Sequence, residues 1–65
     1  MDGKLCFIRE PEVRRRTGLS HSTIWIMRNA GDFPQPVKLG SRALGWVEHE
    51  IDEWLDARLR AREAA

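Results

Sequence analysis

TGLSHSTIWIMRNAG (residues 17–31) is the stretch on which the fold turns. Gly18 suits the left-handed position that closes one helix. Two residues on, Ser20 carries the short hydroxyl that caps the start of another. Leu19, between them, tucks inward across the break. From about His21 to Ala30 the pattern is helical, with Ile24 and Met27 three apart as the inward stripe, and Gly31 ends it. Upstream, Pro11 stands where a first helical position belongs, because its missing N–H costs nothing there. Val13 falls on the buried side of this short helix, and Arg14, Arg15 and Arg16 follow. Two short helices joined by Gly18-Leu19-Ser20 have the layout of a helix-turn-helix.

The flanking segments complete that unit. Leu5-Cys6-Phe7-Ile8 is a short apolar run, readable as a strand or as the lead-in to a helix. Asp32-Phe33-Pro34-Gln35-Pro36 cannot continue a helix, since proline restricts itself and its predecessor. Val37-Lys38-Leu39 alternates inward and outward, as does part of Leu44-Gly45-Trp46-Val47, with Gly40-Ser41-Arg42-Ala43 as a hairpin tip. The hairpin over residues 37–47 reads as a wing. A last helix is expected from about Glu48 to Arg62, with Ile51, Trp54, Leu55 and Leu59 on one apolar face. Its first turns are acidic and its last turns basic, in keeping with the helix dipole. The expected fold class is mainly α with a small β-hairpin wing: one winged helix-turn-helix domain over residues 1–65, without linker, repeat or low-complexity segment.

Composition narrows the functions. A chain of 65 residues has little volume for an enclosed catalytic cleft or cofactor pocket. Cys6 is the only cysteine, so no internal disulfide and no CxxC zinc site can form. His21 and His49 stand far apart with no carboxylate or thiol at ligand spacing, so no metal site is expected. Nor is there a nucleophile–base pairing, a Gly-rich phosphate loop or a paired-carboxylate arrangement; the reading is of a protein without enzymatic activity or cofactor. The cluster Glu48, Glu50, Asp52, Glu53 fits a helix N-terminus better than a catalytic pair. No apolar run is long enough to span a membrane, and the N-terminus lacks a signal-peptide layout, which places the chain by expectation in the bacterial cytoplasm, with the nucleoid.

The net charge of +1 hides a division. Residues 1–45 hold eight Lys and Arg against four Asp and Glu; residues 46–65 hold three against six. Such a two-ended distribution is what phosphates would feel.

Three segments, PEVRRRTGLSHSTIW, GDFPQPVKLGSRALGW and EIDEWL, together resemble the AlpA family of phage and prophage regulators, over roughly residues 9–59. Within them TGLS-x-STI, FP-x-PVKLG-x-R and GW…E-x-x-x-WL are far more specific than a generic helix-turn-helix pattern. The family is related to small excisionases and shares a MerR-like winged-helix fold. The resemblance implies a compact winged helix that binds DNA and regulates transcription or excision of a mobile element. It implies further that His21, Ser22, Thr23 and Trp25 lie on or near the recognition helix, with Lys38 and Arg42 on the wing. Family members often carry a basic residue where this chain has His21 and Ile26, so its recognition helix has less positive charge.

The expected partner is double-stranded DNA. His21, Trp25 and Arg28 lie along one helical face, flanked by Ser22 and Asn29 and roughly opposite the Ile24–Met27 stripe. His21 and Ser22 suit base edges and Arg28 suits phosphate, whereas Thr23 fits either a contact or the Ser20 cap. Trp25 has two readings: a partly buried aromatic, or an indole on the sugar–phosphate backbone. Trp46 and Trp54 read as core. Arg42 at the tip, with Ser41 beside it, could enter the minor groove or clamp a phosphate, and Lys38 would add a phosphate contact. Arg14, Arg15 and Arg16 splay around their helix; one or two of them, with Arg15 and Arg16 foremost, would meet phosphate or a neighbouring chain. A monomer with so few contacts binds weakly, so specificity calls for self-association on DNA, DNA bending, or contact with a recombinase or RNA polymerase. The same surface would serve transcriptional regulation or an excisionase-type directionality factor. A winged-helix adaptor that binds protein alone is the rival from another class.

Overall fold

Val13, Ile24, Phe33, Trp46 and Ile51, none more than 4% exposed, meet in a single buried cluster, and each comes from a different segment of the chain. The computed structural model describes residues 5–64. Its elements run β1 (Phe7–Ile8), α1 (Glu10–Thr17), α2 (His21–Asn29), β2 (Val37–Gly40), β3 (Ala43–Val47) and α3 (Glu48–Ala64). In so small a fold each fully buried apolar side chain, contributing roughly 1.5–3 kcal/mol, is a large share of the whole.

The helix-turn-helix forms as the sequence leads one to expect. Glu10 and Pro11 open α1, so the proline is the second helical residue rather than the first. Gly18 closes the helix at φ 75°, and its N–H donates to the Arg14 carbonyl at 2.8 Å. Thr17 fastens the turn from both sides: its hydroxyl donates to the Val13 carbonyl at 2.8 Å and accepts the Leu19 N–H at 3.2 Å. Ser20 caps α2, accepting the Thr23 N–H at 3.2 Å. The helix ends one residue short of Ala30, and Gly31, at φ 79°, turns the chain away.

Residues 7–8 are a strand, which settles the two readings of the apolar run. They pair antiparallel with β3, Phe7 opposite Val47 and Ile8 opposite Trp46, giving a three-stranded sheet of order β1-β3-β2. The hairpin is present, with Ser41 and Arg42 at its turn, but its inward parity is the reverse of that expected. Trp46 fills the core, so its neighbour Gly45 faces away from the helices. Val37 pairs with Gly45, and Leu39 and Phe7 close over that glycine: a Cβ there would lie 2.6 Å from Leu39 Cδ1 and 3.2 Å from Phe7 Cβ. Val37 and Leu39 therefore lie on the outer face, 41% and 45% exposed. Lys38, paired with Leu44, shares the face that looks toward α2. A β-bulge between Lys38 and Gly40 accompanies this register.

Two indoles hold the segment between α2 and the wing. Trp46 Nε1–H donates to the Pro34 carbonyl at 3.0 Å, and Trp54 Nε1–H to the Asp32 carbonyl at 2.9 Å. Phe33 enters the core between them, its ring edge-on to Trp54 at 4.8 Å. Trp54 and Leu55 pack against the core while remaining part-exposed. Leu59 does not join them. Placed by periodicity on the apolar face, it is 46% exposed and lies outside the core cluster formed by the described residues.

Candidate nucleic-acid interface

Ser20, as the N-cap, fixes where α2 begins. Its hydroxyl also donates to Thr23 Oγ1 at 3.0 Å, so Thr23 belongs to the cap. From that start the helix exposes His21, Ser22, Trp25, Ile26 and Asn29. Trp25 is 51% exposed and Ile26 65%, so the indole is half-buried against its neighbours with the rest of it open to solvent. His21, Ser22, Trp25, Ile26 and Arg28 line an open depression together with Glu10 from α1 and Leu44 from β3. Glu10 and Leu44 also line the next depression, with Arg9, Pro11, Arg42 and Trp46. Pro11 leads on to a third, bounded by Arg14, Arg15, Leu19 and Ser20. The helix α2, the hairpin strand β3 and the start of α1 thus form one continuous surface.

The cations divide into two groups on this fold. Lys38 and Arg42 are exposed and make no ion pair with another described residue; the same holds for Arg9 and Arg14. Arg15 and Arg16 are engaged within the chain. Arg15 Nε donates to Glu12 Oε1 at 2.9 Å. Arg16 donates to Glu12 at 2.8 Å and to Glu48 at 2.7 Å, and lies 3.5 Å from Asp52, which ties α1 to α3. The hydrogen bond from Arg15, with that from Arg16 next, pulls the Glu12 carboxyl from an ordinary 4.5 down to about 2. Glu12 and then Glu48 push the Arg16 guanidinium up in turn.

Arg28 occupies neither group. Its guanidinium carbon lies 5.2 Å from the Trp25 ring centre and 5.9 Å from that of Trp46, and its buried Nε has no partner among the described residues. A cation over an aromatic face is attracted by the ring quadrupole. Arg28 therefore links the exposed indole to the buried one, while its main-chain carbonyl accepts Gln35 Nε2–H at 2.9 Å. Ser41 sits exposed at the wing turn beside Arg42. Reading the sequence alone misses Arg9, Glu10 and Leu44. Glu10 and Leu44 line the depression on α2 and Arg9 lines the one next to it, placements that depend on tertiary packing and that no local pattern announces.

Among the described residues no group of three His, Cys, Asp or Glu is placed to hold a metal ion, and no helix is long and apolar enough to cross a membrane.

A helix-turn-helix followed by an antiparallel hairpin, whose second strand packs on α1 and α3, defines the winged helix-turn-helix class. Within that class, the chain belongs to the AlpA family of prophage regulatory proteins, whose profile, that of the prophage CP4-57 regulatory protein AlpA, matches residues 6–59. The family is one of regulators, not of enzymes. The chain is 39% identical over 57 residues to the uncharacterized protein ORF88 of Enterobacteria phage P4, covering 88% of this chain and 65% of that protein. It is 37% identical over 59 residues to the DNA-binding transcriptional activator AlpA of Escherichia coli (strain K12), covering 82% of this chain and 84% of that protein. The chain thus spans slightly less than two thirds of the phage relative.

Proposed function

We propose that this chain binds double-stranded DNA and regulates transcription of a phage or an integrated mobile element. The helix His21–Asn29 enters a major groove, where His21, Ser22 and Asn29 reach base edges and Trp25 and Ile26 supply apolar contact. The wing lies over the adjacent backbone or minor groove, with Arg42, Ser41 and Lys38 toward phosphate. The observation that carries this reading is the sorting of cations. Arg16 is paired with carboxylates of α1 and α3, whereas Arg9 and Arg42 stand exposed and without an ion pair among the described residues along the surface that joins α2 to the hairpin, with Lys38 exposed on the same hairpin. Kinship with a relative described as a DNA-binding transcriptional activator supports it.

Titration of the protein with the DNA flanking its own gene, at two salt concentrations, tests the proposal. Binding tighter than to unrelated duplex and steeply weakened by salt is the expected result, since phosphate contacts release counterions. The exposed trio Trp25, Ile26 and Leu44 favours one rival, an adaptor that docks on protein. Absence of DNA binding at low salt would overturn the DNA reading in favour of that one.

A further inference from the structure

His21 is the first residue of α2, the end of a recognition helix from which side chains reach base edges. Its side chain is 66% exposed, yet one ring nitrogen is committed: Nδ1 lies 2.5 Å from Glu10 Oε2. Glu10 comes from the first turn of α1 and is itself only 27% exposed, so the partner is held in place by the fold. An ionised carboxylate can only accept, so the shared proton sits on Nδ1. A neutral imidazole carries one N–H, and its other nitrogen is then a bare acceptor.

We propose, on the footing of the DNA-binding reading above, that Glu10 is a positioning residue which makes His21 Nε2 an acceptor in the major groove. His21 thereby reads an exocyclic amino group, adenine N6 or cytosine N4. Guanine presents only acceptors there, N7 and O6, and meets Nε2 without a proton between them. A histidine free to choose its tautomer could serve either kind of base; Glu10 removes the choice. The cations around the same surface, Arg9, Arg28 and Arg42 among them, are donors only, so they complement His21 rather than duplicate it. His49 on α3 supplies an internal contrast. Its Nε2 lies 2.8 Å from Glu53, so the same logic places its proton on the opposite nitrogen.

Two measurements at pH 8 test this. Long-range proton–nitrogen spectra of the ¹⁵N-labelled protein should show one histidine protonated on Nδ1 and one on Nε2. In Glu10→Gln, whose amide can donate as well as accept, the His21 pattern should move toward Nε2–H while that of His49 stays. Selection from random duplexes should then enrich adenine or cytosine at the one position whose preference His21→Ala abolishes. Glu10→Gln should loosen that position toward guanine by about fivefold, the worth of one hydrogen bond, and leave the rest of the site unchanged. Nε2–H at His21 in the unaltered protein, or guanine at the His21-dependent position, overturns the proposal. No enriched sequence at all, with Nδ1–H observed, overturns the DNA reading itself and the base assignment with it.

Discussion

On the side where α1 meets α3, Arg16 is surrounded by Glu12, Glu48 and Asp52, and Arg15 is folded back on Glu12. On the side where α2 meets the wing, Lys38 and Arg42 have no carboxylate partner among the described residues, and Trp25, Ile26 and Leu44 stand half in water. The first side spends its charges on holding two helices together. The second keeps charge and apolar area exposed, the arrangement on which the proposed DNA contact draws. Stability and recognition are therefore separable here, and substitutions should sort by side.

The largest effect should come from the residue that both sides share. Trp46 fills the core, donates to Pro34 and lies under Arg28, which in turn lies against Trp25. Trp46→Ala should cost about 3–5 kcal/mol, a large share of a domain's total stability. Loss of the cooperative thermal transition in circular dichroism, and of DNA binding with it, is the expected outcome. A folded Trp46→Ala with intact binding would break the picture of one core supporting both faces.

Next comes a pair of arginines, one from each side. Arg42→Ala should weaken DNA binding on the order of tenfold, and lower the salt slope by about one, with the melting temperature unchanged. Arg16→Ala should do the opposite: a lower melting temperature, and DNA affinity unchanged at a temperature where it remains folded. Equal losses of affinity in both would erase the division between the faces. Arg28→Ala should show a mixed result, weakening binding while loosening Trp25, because its guanidinium lies between two rings rather than free at the surface.

Much of this was legible in the sequence, and the limits have physical causes. Gly18 and Ser20 mark the turn because left-handed backbone and a free helix N–H are local needs that local residues meet. Strand faces are not local. Val37-Lys38-Leu39 alternates either way round, and only Trp46, through its cross-strand neighbours, decides that Lys38 turns toward α2 while Val37 and Leu39 turn away. Leu59 obeys the helical period, but period says nothing about where the core stops. Phe33 lies in a proline-rich loop, where no periodicity marks a residue as buried, yet it is 4% exposed. The run Arg14-Arg15-Arg16 shows the same limit at the interface. Composition counts three cations; the fold engages two of them with carboxylates from α1 and from a helix over thirty residues away.

A smaller effect tests the turn itself. Ser20→Ala removes the oxygen that accepts the Thr23 N–H and should cost about 1 kcal/mol. Because the cap sits at the start of the recognition helix, DNA affinity should fall modestly as well, with fraying of His21–Thr23 visible as faster amide exchange. Loss of stability without faster exchange there would place the effect elsewhere.

The smallest and most specific lever is acid. Glu12 titrates near 2 in the folded chain against an ordinary 4.5, because Arg15 and Arg16 hydrogen-bond its charged form. A depressed carboxyl contributes stability that is fully present above the unfolded value and is lost as pH falls through the folded one. The window therefore lies between about 4.5 and about 2. Other carboxylates titrate there too, so the informative quantity is the gap in melting temperature between the unaltered chain and Glu12→Gln. That gap should be constant above pH 5, shrink below 4.5 and close near 2, where a protonated Glu12 and a glutamine are electrically alike. A gap that persists at pH 2 would mean that Glu12 acts through shape and not charge. The α1–α3 side would then be held by packing, and its ion pairs would be incidental to it.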